Sequence, residues 1–222
     1  MITFHEIAGV PLAYDRDSHE AYGTRGRALG AAGPVTETFL AALELWMDEL
    51  GELCPWGKPE LLVTGGVRGN QPAPGEVSRH WEGRAIDIDS LWWSGRPPLV
   101  TREAWRDQAP LYLAVEATLR LRFGTVLDAH YNAAHVDHWH VDDGHAPGWH
   151  QSRSLIVFLQ AALGACWGRP VEVDGAWGPR TAGAVREVLT SLLADDLRAA
   201  WPALLRATAR RGFEATGSPA PR

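Results

Sequence analysis

The sequence predicts an α+β fold: a small antiparallel sheet flanked by helices, followed by a small all-α unit. Three observations predict it. Apolar residues recur at three- and four-residue steps through 35–53 and 111–123, the spacing of a helix face. Apolar and polar residues alternate strictly through 84–89, and 135–143 reads as a further strand, the spacing of a half-buried sheet. From residue 154 onward the pattern is helical, apart from a short Val171-Glu172-Val173 alternation.

Taken in order, residues 1–33 read as irregular or short extended structure broken by Gly23, Gly26, Gly30 and Gly33. Phe39, Leu43, Trp46, Leu50 and Leu53 form the apolar stripe of the first helix, with Thr36 as its N-cap. Leu61–Val63 is a short strand that runs into a Gly/Pro-rich loop. Residues 84–89 form a strand, 111–123 a second helix, and 124–128 and 135–143 two more strands. Turn composition at 144–154 marks a boundary. The expected organisation is a domain over 1–148, a helical module over 149–215 and a tail over 216–222.

Composition narrows the function classes. The chain has 222 residues and a formal net charge of −6, which argues against a nucleic-acid binder. No apolar run is long enough for a transmembrane helix, and the first residues lack the basic and apolar parts of a secretory signal. Cys54 and Cys166 exclude a disulfide framework and leave room for at most one bridge. Six of the nine histidines fall between His130 and His150.

Two clusters carry chemistry. In Ser78–Asp89, alternation puts Ile86 and Ile88 toward the core and Ala85, Asp87 and Asp89 on the other face. Gly83 lets the chain turn sharply, so that His80 can lie beside Asp87. In His135–Asp142, His138 and His140 share one strand face, with Trp139 and Val141 packed behind. Three imidazoles within six residues each need a polar partner if buried, so a purely structural role for all three is uneconomical. Together the clusters supply two His and one Asp as metal ligands, plus two spare His, the composition of an open zinc site.

Ser78-x-His80-x-x-Gly83-x-Ala85-x-Asp87-Ile88 resembles the metal motif of the D-alanyl-D-alanine carboxypeptidase family of zinc peptidases, shared by the hedgehog amino-terminal fold. His135-x-x-His138-x-His140 is similar to the second motif of that family, and 123–143 is most similar to the extensin-like carboxy-terminal branch. The resemblance spans about residues 35–145. It implies one zinc ion held by His80, Asp87 and His140, and a peptidase acting on bacterial cell-wall peptidoglycan, of D,D- or L,D-type, as a carboxy- or endopeptidase. It also implies that Arg68, from Gly65-Gly66-Val67-Arg68, lies over the open metal position. There Arg68 either stabilises an oxyanion or binds a substrate carboxylate. Strand alternation turns Asp137 away, and the resemblance implies that His135, which matches a histidine of the endopeptidase and carboxypeptidase branches, carries the proton, with His138 as the alternative. Asp89 and Asp142 are read either as orienting the ligand histidines or as solvated strand-end acids.

In the C-terminal unit, Asp174-Gly175-Ala176-Trp177-Gly178-Pro179-Arg180-Thr181 is similar to the peptidoglycan-binding helical modules of wall hydrolases. A purely structural helix bundle is the other reading of those residues. The alternative for the whole chain is a non-catalytic zinc-containing protein that binds the cell wall. The expected partners are peptidoglycan stem or crosslink peptides, with no nucleic acid and no membrane span. The protein is expected to work as a monomer at the wall, by an export route the sequence leaves open.

Overall fold

A computed structural model describes residues 1–67, 71, 73–74 and 77–216. The chain opens with short strands β1 (Ile2–Phe4), β2 (Glu6–Ile7), β3 (Val10–Tyr14), β4 (Arg27–Ala28) and β5 (Ala32–Val35). Helix α1 (Glu37–Leu53) follows, and the Thr36 hydroxyl accepts the Phe39 amide as its cap. Next come β6 (Leu61–Gly66), β7 (Ala85–Trp92), β8 (Leu99–Val100), α2 (Thr101–Asp107), α3 (Ala109–Arg122), β9 (Thr125–Leu127) and β10 (Trp139–Asp142). Helices α4 (Arg153–Ala165), α5 (Pro179–Ser191) and α6 (Leu197–Ala215) complete the chain. No helix among the described residues is long and apolar enough to cross a membrane.

The α+β class is as expected, but the sheet is larger and mixed. Its eight strands run β2-β3-β6-β7-β10-β9, with β4 on β3 and β8 on β7. The β3–β6 pair is parallel and the other pairs are antiparallel. The N-terminal segment, read from sequence as mostly irregular, supplies three of these strands. They are two to five residues long, too short to carry an alternation signal. The strand expected over 135–143 is shortened: Ala133–His135 forms a 3₁₀ turn, and pairing begins at Trp139. Val171–Val173 forms no strand.

Helix α3 lies at the centre, packed against α1, α2, α4 and α6. Ten of its residues from Leu111 to Arg120 are buried, so it carries apolar residues around most of its circumference. One core contains Phe39, Trp46 and Trp139 together with Phe158, Trp201 and Phe213. The units expected on either side of residue 148 therefore share a single core. A Cβ at Gly212 on α6 would stand 2.1 Å from the Pro110 carbonyl oxygen, so only glycine allows α6 this close to α3. Arg120 ties the same regions together. Its side chain is 1% exposed, pairs with Glu116 at 2.7 Å, and donates to the Val126 carbonyl on β9 and to Ser154 on α4. Cys54 and Cys166 are both free thiols, and burial pushes their pKa values up to about 11 and about 12.

Candidate metal centre

Pairing between β7 and β10 puts His140 directly opposite Asp87. Directly opposed residues share a sheet face, so the two side chains meet. Ile86, Ile88, Trp139 and Val141 are fully buried behind them, as the alternation predicts. His80 arrives from the turn before β7. Gly83 has φ of 68°, and its carbonyl accepts the Thr36 amide at 2.9 Å. A Cβ at Gly83 would stand 2.7 Å from the Pro34 carbonyl oxygen, so the turn that delivers His80 depends on glycine.

The three predicted ligands converge. His80 Nε2 is 3.1 Å from His140 Nδ1 and 3.2 Å from Asp87 Oδ1, and His140 Nδ1 is 3.0 Å from the same Asp87 oxygen. These atoms form a nearly equilateral triangle. Tetrahedral bonds of ~2.0–2.1 Å require donor atoms about 3.3 Å apart. Two imidazole nitrogens and a carboxylate oxygen at this spacing fit a zinc ion, and a small outward shift suffices to seat one.

The surroundings favour positive charge. Burial opposes ionisation of Asp87, but hydrogen bonds with His140 and His80 outweigh it and hold the carboxyl well below the usual carboxylate range. Burial likewise opposes a charge on His140, yet hydrogen bonds to Asp142 and Asp87 outweigh it and lift its pKa to about 9. Asp142 holds His140 Nε2 at 3.2 Å and accepts the Gly144 amide at 2.7 Å. With Nε2 turned to this carboxylate, Nδ1 of His140 faces the trio, the geometry that the orienting one of the two readings of Asp142 requires. Asp89 has a different partner: its fully buried carboxylate receives Arg16 Nε and Nη2 at 2.5 and 2.7 Å.

The spare histidines stand alongside. His138 Nδ1 is 2.7 Å from Asp137 Oδ1, leaving Nε2 to approach Asp87 Oδ1 at 3.7 Å. His135 Nδ1 is 2.7 Å from Asn132 Oδ1, and its ring centre is 5.2 Å from that of His138. Burial and the neighbouring His138 and His140 lower the His135 pKa. Asp137 precedes β10, so strand alternation does not govern it; its carboxylate braces His138. Arg16 Nη1 reaches the other Asp137 oxygen at 3.6 Å. Tyr22 and Thr101 hydroxyls both donate to the Asp137 carbonyl. Arg16, Tyr22 and Thr101 escaped the sequence reading because they lie far from the motifs along the chain. Arg68 lies outside the described residues.

The C-terminal motif forms a loop leading into α5. Gln160 on α4 donates to Asp174 Oδ1, the Ala176 carbonyl and the Thr181 hydroxyl at 2.8, 3.0 and 3.1 Å, and accepts the Asp174 and Gly175 amides. Gly178 caps α5, Pro179 occupies its first turn, and Trp177 packs on Trp149 at 5.3 Å between ring centres.

A sheet face with convergent His, Asp and His side chains and a second pair of histidines beside them defines a candidate metal-dependent site. Residues 67–153, which contain all of these histidines, match the family described as extensin-like protein C-terminus. No curated protein and no solved structure gives a significant match to the chain.

Proposed function

We propose that this protein is a zinc-dependent peptidase that cleaves peptide bonds in bacterial cell-wall peptidoglycan. The observation that carries the reading is the triangle of His80 Nε2, Asp87 Oδ1 and His140 Nδ1, with edges of 3.0 to 3.2 Å. The motif resemblance to D,D-peptidases and the wall-module resemblance of Asp174–Thr181 support the substrate class and action at the wall. A cavity of about 310 Å³ beside that loop, lined by Glu172, Asp174 and Arg180, offers space for a wall fragment.

His80, Asp87 and His140 would hold the ion. When bound, zinc supplies Lewis acidity to an amide carbonyl and to the attacking water. The remaining work belongs to the chain. In hydrolysis the water oxygen bonds to the carbonyl carbon, the C–N bond breaks, and a proton passes from water to the leaving amine. An imidazole with one nitrogen free can carry that proton. The 3.7 Å approach of His138 Nε2 to Asp87 supports His138 as the carrier. Asp137 keeps a proton on Nδ1, so Nε2 presents its lone pair to the site. His135, braced by Asn132, is the second imidazole in reach of the same space. Asp142 holds His140 in the ligand orientation.

The test is incubation of purified muropeptides with the zinc-supplemented protein, with and without a chelator, read by mass spectrometry. New fragments that vanish with the chelator are expected. Sacculus binding without new fragments under any metal condition would overturn the peptidase reading in favour of a wall-binding protein.

A further inference from the structure

Strand pairing sets out a row across the sheet, with an irregularity in β6 just before its Gly66 end. Gly66 on β6 is opposite Asp87, Asp87 is opposite His140, and His140 is opposite Leu127 on β9. Directly opposed residues share a face, so the trio lies in the middle of this row. Each end of the row opens into a cavity. Gly66 lines one of about 270 Å³, together with Ala31, Ala32 and Gly65. Leu127 lines another of about 380 Å³, together with Tyr131, His145, His150 and Arg153. Both adjoin the site: Val67 of the first carries the carbonyl 3.4 Å from His80 Nδ1, and Tyr131 of the second lies 6.1 Å from the His135 ring.

We infer that the trio sits at the centre of a two-sided cleft, which takes an extended peptide across the strands and selects an internal bond. This rests on the peptidase reading of the same trio. Three strand spacings of ~4.8 Å separate Gly66 from Leu127, about 14 Å. An extended peptide rises ~3.3 Å per residue, so about four residues span the row. A site for removing a terminal residue needs room on one side only, whereas each end of this row has a cavity among the described residues.

The two ends differ in chemistry. The Gly66 end is lined by alanines and glycines together with Tyr14, Leu29, Thr64 and Val67, and the one cation among its described lining residues, Arg27, is held by Asp17 at 2.5 Å. A Cβ at Gly66 would come no closer than 3.9 Å to Asp87 Oδ2, so the glycine leaves open volume there. That end fits a small uncharged residue. The described lining of the Leu127 end has two imidazoles, the Arg153 guanidinium, one of whose nitrogens donates to the Asp174 carbonyl, and no acidic residue. It fits a residue bearing a carboxylate.

The test uses crosslinked muropeptide dimers, which present peptide on both sides of the crosslink, and uncrosslinked pentapeptide monomers. Binding is measured by calorimetry on zinc-supplemented His138→Ala protein, and cleavage on the wild type. Dimers should bind and be cleaved at least 10-fold better than monomers. In the same background Gly66→Leu and His145→Glu should each weaken dimer binding about 10-fold. Tight dimer binding with no cleavage would uphold the cleft and defeat the peptidase reading. Release of the terminal residue from monomers with dimers left intact would overturn the cleft and uphold the peptidase. Absence of dimer binding, or dimer binding indifferent to both substitutions, would overturn the cleft.

Discussion

His80, Asp87 and His140, and the loop from Asp174 to Thr181, both carry motifs that resemble wall-hydrolase families, but their polar atoms are used in opposite ways. In the first region the donor atoms face one another across a small space, with Asp142, Asp137 and Asn132 braced behind them. In the second, Asp174 and Thr181 are engaged by Gln160, which also accepts the amides of Asp174 and Gly175, while Asp174 accepts the amide of Ala176. A polar side chain held by local partners stabilises a loop; one aimed at other potential ligands is prepared for an ion. The helices around the second motif also close the core over α3, which gives that region a structural task whatever it binds.

One truncation and six substitutions break or sharpen this contrast. The largest effect is expected from ending the chain at Gly148. The sequence alone suggests a folded fragment, but the loss of α4 and α6 uncovers α3 and removes the Ser154 partner of Arg120. Leaving that buried ion pair short of partners and opening the core costs several kcal/mol, comparable with the ~5–15 kcal/mol stability of a whole domain. Circular dichroism should show an unfolded or insoluble fragment, and a cooperative melt near that of the full chain would refute the shared core. Next, Asp87→Ala should reduce muropeptide cleavage to the level of the chelated wild type, measured by product formation.

His138→Ala should keep zinc and fold while lowering turnover by about 10²–10⁴-fold. Arg16→Met removes both donors of the buried Asp89 carboxylate as well as the contact to Asp137, so it should lower the melting temperature more than His138→Ala while lowering turnover by less. If His135→Ala is the more damaging of the two histidine changes, their roles are reversed. Asp142→Ala should weaken zinc affinity about 10–100-fold in a competition with a chromogenic chelator. The smallest effect belongs to the second motif. Asp174→Ala removes hydrogen bonds worth about 1 kcal/mol each and should lower the melting temperature slightly, with cleavage of soluble muropeptides unchanged.

The site's inner ring was legible in pieces. Alternation and one glycine turn bring His80 toward Asp87 from a pattern of a few adjacent residues, whereas His140, 53 positions on, entered the ligand set through the motif resemblance. Helix α1 was likewise legible from adjacent residues, from its apolar stripe to the Thr36 cap. The brace was not legible. Arg16 meets Asp89 across 73 positions and Tyr22 meets Asp137 across 115, and no periodicity encodes such pairings. Asp89 looked like a partner for a ligand histidine because alternation puts it on the Asp87 face; the arginine that claims it comes from a strand end in the N-terminal segment. The shared core was half visible in the apolar residues Trp201, Leu204, Leu205 and Phe213 of α6. Which surface they cover depends on Gly212, whose meaning appears only against Pro110.

Metal content tests the central claim most directly. Wild-type protein and the His140→Ala variant are saturated with zinc, dialysed extensively and analysed by mass spectrometry for metal per chain. The account predicts about one zinc per wild-type chain, and loss of that zinc from a variant that keeps its fold. Zinc-free wild type, or full zinc retention in the variant, would contradict it.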